Sequence, residues 1–188
     1  SAPPAWFASP RVPLSSIVAT AAGREGESSW TLPNDLGLCL RISGDLAGAR
    51  PYYERALAIR ERVLGPDHPT TAQGLNNLGT LLQAQGDLAG ARPYYERALA
   101  ICERVLGPDH PATATSLNNL GALLDSMGDL AGARPYYERA LAIRERVLGP
   151  DHSATASSLN NLGTLLQAQG DLAAARPYYA RAPGIFER

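Results

Sequence analysis

At a fixed interval the chain sets two carboxamides side by side in an aliphatic run: Asn76-Asn77, Asn118-Asn119 and Asn160-Asn161, each inside Leu-Asn-Asn-Leu-Gly. A carboxamide both donates and accepts hydrogen bonds. A row of them can therefore pair with the alternating C=O and N–H groups of an extended chain, whatever its side chains. The competing use of such pairs is internal, with one amide of each bonded to the adjacent helix or repeat. Gln73, Thr115 and Ser157 precede the pairs, and Thr80, Gln83, Asp125, Thr164 and Gln167 follow them, varying between units while the aliphatic frame does not. The candidate peptide-contacting set is Asn76, Asn77, Thr80, Gln83, Asn118, Asn119, Asp125, Asn160, Asn161, Thr164 and Gln167.

Other reactive residue types point to less. His68, His110 and His152 each follow an Asp, but they fall one repeat apart on turns with no second ligand beside them. Capping and turn formation explain them better than a metal. Arg92 and Arg134 stand four residues before Glu96 and Glu138, the spacing of an ordinary surface pair on a helix; Arg176, the matching residue of the last unit, is read with them. No nucleophile–base pair, glycine-rich phosphate loop or paired carboxylates occur. The chain is expected not to be an enzyme, and no cofactor or metal is implied.

The amides are positioned by a repeat. Gly44-Asp45-Leu46, Gly86-Asp87-Leu88, Gly128-Asp129-Leu130 and Gly170-Asp171-Leu172 recur with a period of 42 residues, and such a period is the mark of a stacked array. Within one unit, Leu117, Leu120, Gly121 and Leu124 fall at i, i+3, i+4 and i+7, which predicts a first helix from about Thr113 to Met127. A second is expected from about Leu130 to Leu148, with Ala133, Tyr137, Ala140, Arg144 and Val147 on one face. Gly86 should end the first helix and Asp87 cap the second. Gly107-Pro108 and Gly149-Pro150 should stop the second helix on a left-handed glycine. Asp109-His110-Pro111 is a start signal, with Pro in the first turn. Pro51, Pro93, Pro135 and Pro177 lie inside the second helices, where a bend is expected. Tyr53, Tyr95, Tyr137 and Tyr179 read as core, and Tyr52, Tyr94, Tyr136 and Tyr178 as partly exposed.

The ends differ. Residues 1–31 have no helical period and read as disordered or loosely docked. Residues 32–43 are a worn copy of the first helix, and Pro183-Gly184 should break the last helix early, leaving its inner face open. Formal charge is −1, from 17 basic and 18 acidic side chains, which disfavours nucleic acid as a partner. The basic residues are all Arg, a composition that suggests a GC-rich, bacterial coding sequence. Cys39 and Cys102 have no metal-site spacing and read as free thiols in a reducing compartment. With no apolar stretch near membrane length and no signal-peptide pattern, the expected location is the cytoplasm. The chain does not begin with Met, as a fragment of something longer would not.

Leu117-x2-Leu120-Gly121-x2-Leu124, then Gly128, Ala133-x3-Tyr137 and Ala140, resemble the tetratricopeptide repeat over residues 32–188, and the Leu-Gly-Pro-Asp-His-Pro turn resembles the kinesin-light-chain-like variant with its bacterial relatives. The resemblance implies an all-α fold: an α-solenoid of antiparallel helix pairs in a right-handed superhelix, its concave wall lined by first helices. It also implies a protein–protein interaction scaffold binding an extended peptide or partner helix. Asn77, Asn119 and Asn161 match the position at which related repeats form an asparagine ladder that grips a peptide main chain; Asn76, Asn118 and Asn160 lie one residue earlier. The alternative is a sensor or recruitment segment of a larger bacterial signalling protein, such as an NTPase with its catalytic domain elsewhere. Expected partners are a protein or peptide, with no nucleic acid and no membrane, and weak self-association through uncapped ends is a third reading.

Overall fold

The computed structural model describes residues 30–182. The reading of the opening residues as loosely docked, and the break at Pro183-Gly184, fall for residues 1–29 and 183–188 outside the described residues. Within them there are eight helices and no strand: α1 (Thr31–Ile42), α2 (Leu46–Leu64), α3 (Pro69–Ala84), α4 (Leu88–Val105), α5 (Pro111–Ser126), α6 (Leu130–Leu148), α7 (Ser153–Ala168) and α8 (Leu172–Arg181). Each helix packs mainly on the next in sequence, so the described residues form four stacked helical hairpins. No described helix is long and apolar enough to cross a membrane.

The punctuation acts largely as the residues dictate. Gly44, Gly86, Gly128 and Gly170 take positive φ after the first helices, and the carboxylates of Asp45, Asp87, Asp129 and Asp171 then accept from the third backbone N–H of each second helix. His68, His110 and His152 cap the first helices of the later units, each with Nδ1 accepting from the N–H two residues on at 3.0–3.1 Å. Thr71, Thr113 and Thr155 close the same turns by donating to the carbonyls of Gly65, Gly107 and Gly149 at 2.8 Å.

Two expectations are corrected. Gly149 (φ 91°, ψ 162°) is not the left-handed helical cap expected of it; like its copy Gly65 (φ 95°, ψ 158°) it occupies the region of positive φ and extended ψ that is essentially restricted to glycine. Val147, placed on the packed face of α6, is 46% exposed. The second helices run unbroken through Pro51, Pro93, Pro135 and Pro177. Each proline is the sixth residue of its helix and removes a single intrahelical donor.

The core fills the space inside and between hairpins. Leu75, Leu78, Leu81 and Leu82 of α3, with their copies in α5 and α7, meet the alanines and tyrosines of the second helices. Gly79, Gly121 and Gly163 lie flat against the rings of Tyr95, Tyr137 and Tyr179. Tyr53, Tyr95 and Tyr137 are buried as expected, Tyr179 is half-buried at the end of the described array, and Tyr52, Tyr94, Tyr136 and Tyr178 are half-buried.

First helices of neighbouring units touch directly, α3 with α5 and α5 with α7. Second helices are linked mainly by long side chains: Arg97 to Glu61 (2.6 Å), Arg139 to Glu103 (2.5 Å), and Arg181 to Glu145. The closer-packed layer of a curved stack is its inner one, so the first helices form the concave side.

Candidate peptide-binding wall

The wall is built from residues at i, i+4 and i+7 of each first helix, positions that the aliphatic stripe leaves on the other face. They are Asn34, Leu38 and Arg41 in α1; Asn76, Thr80 and Gln83 in α3; Asn118, Ala122 and Asp125 in α5; Asn160, Thr164 and Gln167 in α7. Asn77, Asn119 and Asn161 stand beside them. Hydrogen bonds from unit to unit show that the strips lie edge to edge.

The asparagines divide into those that bond across repeats and those that do not. Asn77 Nδ2 donates to Asn34 Oδ1 at 2.9 Å, and Asn161 Nδ2 donates to Asn118 Oδ1 at 2.8 Å. The second amide of one unit thus pairs with the first amide of the unit before. The middle interface breaks this rule: Asn76 Nδ2 donates to Ser116 Oγ at 3.0 Å, leaving Asn76 Oδ1 buried without a partner. Asn119 and Asn160 are half-buried and make no side-chain hydrogen bond. The carbonyl oxygens of Asn77 and Asn161 likewise have no partner within the described residues.

The cause of the break lies one layer below. Arg60, Cys102 and Arg144 occupy one register of the second helices. Arg144 Nη1 donates to Ser158 Oγ (2.6 Å) and the Ala154 carbonyl (3.1 Å). Arg60 Nη2 reaches Asn34 Oδ1 at 3.4 Å, and its Nε and Nη1 have no partner. Cys102 supplies no such donor, so Ser116 Oγ turns to Cys102 Sγ (3.7 Å) and its lone pair is taken by Asn76. Burial pushes both guanidinium pKa values down, with Asp35 opposing the shift at Arg60. Sequence reading missed these buried arginines, placing Arg144 in an apolar stripe without a polar role. Their signal was present: an Arg at a core register, with Ser or Gly fourteen residues on.

Other members of the predicted set serve the scaffold as well as the wall. Gln83 Oε1 accepts from Tyr95 Oη at 3.1 Å, while its Nε2 donates to Ser126 Oγ (2.9 Å) and the Ala122 carbonyl (3.3 Å). Thr80 accepts from Tyr95 Oη at 3.1 Å and itself donates to the Asn76 carbonyl. In the last unit Tyr179 Oη donates to Thr164 (3.2 Å) and Gln167 (2.8 Å), leaving the Gln167 amide nitrogen open. The third unit has no such tyrosine bracket. Tyr137 faces Ala122 and Asp125 instead, and burial, with the Asp125 charge second, pushes its phenol well above the usual tyrosine range. Burial also raises the Tyr95 phenol, opposed by its bond to Thr80 and by the charge of Arg41.

Arg41 was not in the predicted set. It is half-buried, makes no ion pair, and lines a recess of about 210 Å³ with Asn34, Leu38, Tyr53, Asn77 and Thr80. Its signal was its register with Gln83, Asp125 and Gln167, hidden because α1 is a worn copy. Gln73, Thr115 and Ser157 are exposed one turn earlier. On the outer face, Arg92 and Arg134 pair with Glu96 and Glu138 at 2.7 Å.

A family model for the tetratricopeptide repeat matches residues 28–100, 70–146 and 126–188. Among solved structures, the chain is similar to BtubC (BKLC) from P. vanneervenii, with 26% identity and a TM-score of 0.79 over 93% of this chain and 70% of that one. It is also similar to two structures of a putative kinesin light chain with nearly identical repeats from Podospora anserina. One, of a single-substitution variant, is 23% identical with a TM-score of 0.75, covering 92% of this chain and 82% of that one. The other is 24% identical with a TM-score of 0.72, covering 92% and 83%. No curated protein sequence matches the chain significantly. Repeats of this kind generally mediate protein–protein interaction, and the chain belongs to the tetratricopeptide repeat family.

Proposed function

We propose that the chain is a scaffold that holds an extended peptide, or a partner helix, along the concave wall of first helices. The observation that carries this reading is the division of the amides. Where a rung is closed, it uses one donor and one acceptor and leaves the Asn77 and Asn161 carbonyl oxygens available. Where no bond is made, at Asn119 and Asn160, the whole carboxamide is available. Donors and acceptors of both kinds then run along one face, the requirement for pairing with a main chain irrespective of side-chain identity.

The test replaces Asn77, Asn119 and Asn161 by Ala together and measures both melting and affinity for peptides selected on the wild-type protein from a random display library. Affinity is expected to fall at least tenfold. The melting temperature should drop by no more than a few degrees, because each lost hydrogen bond is worth about 0.5–1.5 kcal/mol and Ala regains about half of that in helix propensity. Collapse of the fold with retained affinity would make the amides purely structural.

A further inference from the structure

Of the i, i+4 and i+7 positions of the wall, two carry charge and both fall in one register; Asp35, at the second-amide register of α1, adds a carboxylate that acts on Arg60. Residues 41, 83, 125 and 167 are Arg, Gln, Asp and Gln, the last wall position of successive first helices. Gln83 is held by Tyr95, Ser126 and the Ala122 carbonyl, and Gln167 by Tyr179. The side chains of Arg41 and Asp125 are held by nothing: each is half-buried and makes neither an ion pair nor a side-chain hydrogen bond. The other arginines without a carboxylate partner or a side-chain hydrogen bond among the described residues, Arg55, Arg62 and Arg176, belong to the second helices.

Stability does not account for Asp125. It sits in the last turn of α5 (Pro111–Ser126), where the helix macrodipole is negative and disfavours an anion, and beside the buried Tyr137 ring. The other described first helices carry Gln or Arg at this position. Arg41 faces an open recess whose polar lining includes Asn34, Asn77 and Tyr53, which offer amide and hydroxyl donors to an anion; the Thr80 hydroxyl there already donates to the Asn76 carbonyl. A cation with neutral donors around it and an anion two units away, both without internal partners, form a separated pair of opposite charges on a main-chain-reading surface.

We infer that the occupant of this wall is an extended segment carrying an acidic group, which enters the Arg41 recess, and a basic side chain, which reaches Asp125. This rests on the peptide-binding reading above and adds to it the chemistry and spacing of the ligand. Packed helices lie about 8–10 Å apart, so two steps along the first-helix layer separate the charges by roughly 20 Å. An extended chain advances about 3.3 Å per residue, which places the acidic and basic residues of the ligand about six positions apart.

The test selects random twelve-residue peptides by display on the full chain, and in parallel on the Arg41→Gln/Asp125→Gln variant, whose substitutions copy the residue present at 83 and 167 and should not lower the melting temperature. Peptides enriched on the wild type are expected to carry an acidic and a basic residue five to seven apart, with no such bias on the variant. For a synthetic peptide from the wild-type pool, changing its acidic residue to Gln should weaken binding at least fivefold, and Arg41→Gln should abolish that difference. Asp125→Gln should do the same for the basic residue. Enrichment of charge-free peptides on both proteins, or a charge pair whose effect survives the matching wall substitution, would overturn the inference and leave peptide binding standing. No enrichment on either protein would sink both.

Discussion

Two glycines of the second unit give one substitution opposite outcomes. Gly79 is in α3, and an ideal Cβ built there would lie 2.8 Å from Cε1 and 3.0 Å from Cδ1 and Cζ of Tyr95. Carbon contacts prefer about 3.5–4.0 Å, so the ring would have to retreat by about 0.7 Å. Tyr95 is 1% exposed and anchored by Thr80 and Gln83, which leaves it nowhere to go without moving the wall. Overpacking of this kind costs about 1–3 kcal/mol, offset by the ~1 kcal/mol that Ala gains over Gly in a helix. Gly79→Ala should therefore destabilise by roughly 1 kcal/mol net. At Gly90 the built Cβ comes nearer still to Asp87 Oδ2. Yet that atom ends an exposed side chain, and the fourth unit carries Ala174 at the same position with the Asp171 cap intact at 2.9 Å. Gly90→Ala should stabilise by about 0.5–1 kcal/mol. At about 2–4 °C per kcal/mol for a chain of this size, the two variants should melt about 3–8 °C apart, on opposite sides of wild type. Circular dichroism melts at matched concentration read this directly. A Gly79→Ala variant that melts at or above wild type would refute the claim that the ring is pinned and that it fixes the position of Gln83 and Thr80.

Replacing Cys102 by Arg should restore the middle rung, because the same register accepts Arg60 and Arg144. Stability is expected to stay level or rise by about 1 kcal/mol in urea unfolding, with a new Asn119–Asn76 contact visible in side-chain amide NMR; a loss of about 3 kcal/mol would show the register to be closed to Arg. His110→Ala removes the side-chain acceptor at the start of α5 and should cost about 1 kcal/mol, with His110→Asn recovering most of it; equal stability of the three proteins would contradict the cap. Tyr95 and Tyr137 have folded-state pKa values raised above that of an unfolded tyrosine. Their contribution is therefore fully present below about pH 10 and is lost as pH climbs from there toward the folded values. Urea midpoints should fall above about pH 10, and Tyr137→Phe should flatten that fall without changing its onset.

The fold was legible because every level of the sequence agreed. The period, the aliphatic spacing in Leu117 to Leu124, the Gly-Asp junctions and the His-Pro starts each name the same boundaries, and α6 lies where its residues place it, at Leu130–Leu148. The wall was legible as a register but not as a set of contacts. Whether Asn77 bonds outward or to Asn34 depends on how closely two units approach, and local sequence does not carry that distance. The reorientation of Asn76 was further from view: it follows from Arg giving way to Cys at position 102, on a different helix, through the hydroxyl of Ser116. Arg41 was missed although residues 32–43 read as a worn copy of the first helix, because Leu38 stands where Thr80 and Thr164 do and interrupts the polar strip that leads to it. The φ and ψ of Gly149 escaped for a simpler reason, since glycine announces positive φ without saying which of its two basins is used.

The ion pairs on the outer helices have a sense of direction. In each one that crosses between units, Arg97 with Glu61, Arg104 with Asp67, Arg139 with Glu103, Arg146 with Asp109 and Arg181 with Glu145, the guanidinium comes from the later unit and the carboxylate from the earlier. Units so joined behave like couplings with a plug on one side and a socket on the other: a flipped unit would set like charges together, whereas any unit in the right sense finds its match. Gain or loss of one whole 42-residue copy by recombination between near-identical stretches leaves every junction of this kind complete. The array can thus change length in single steps, and its inner wall with it, without inventing a new interface.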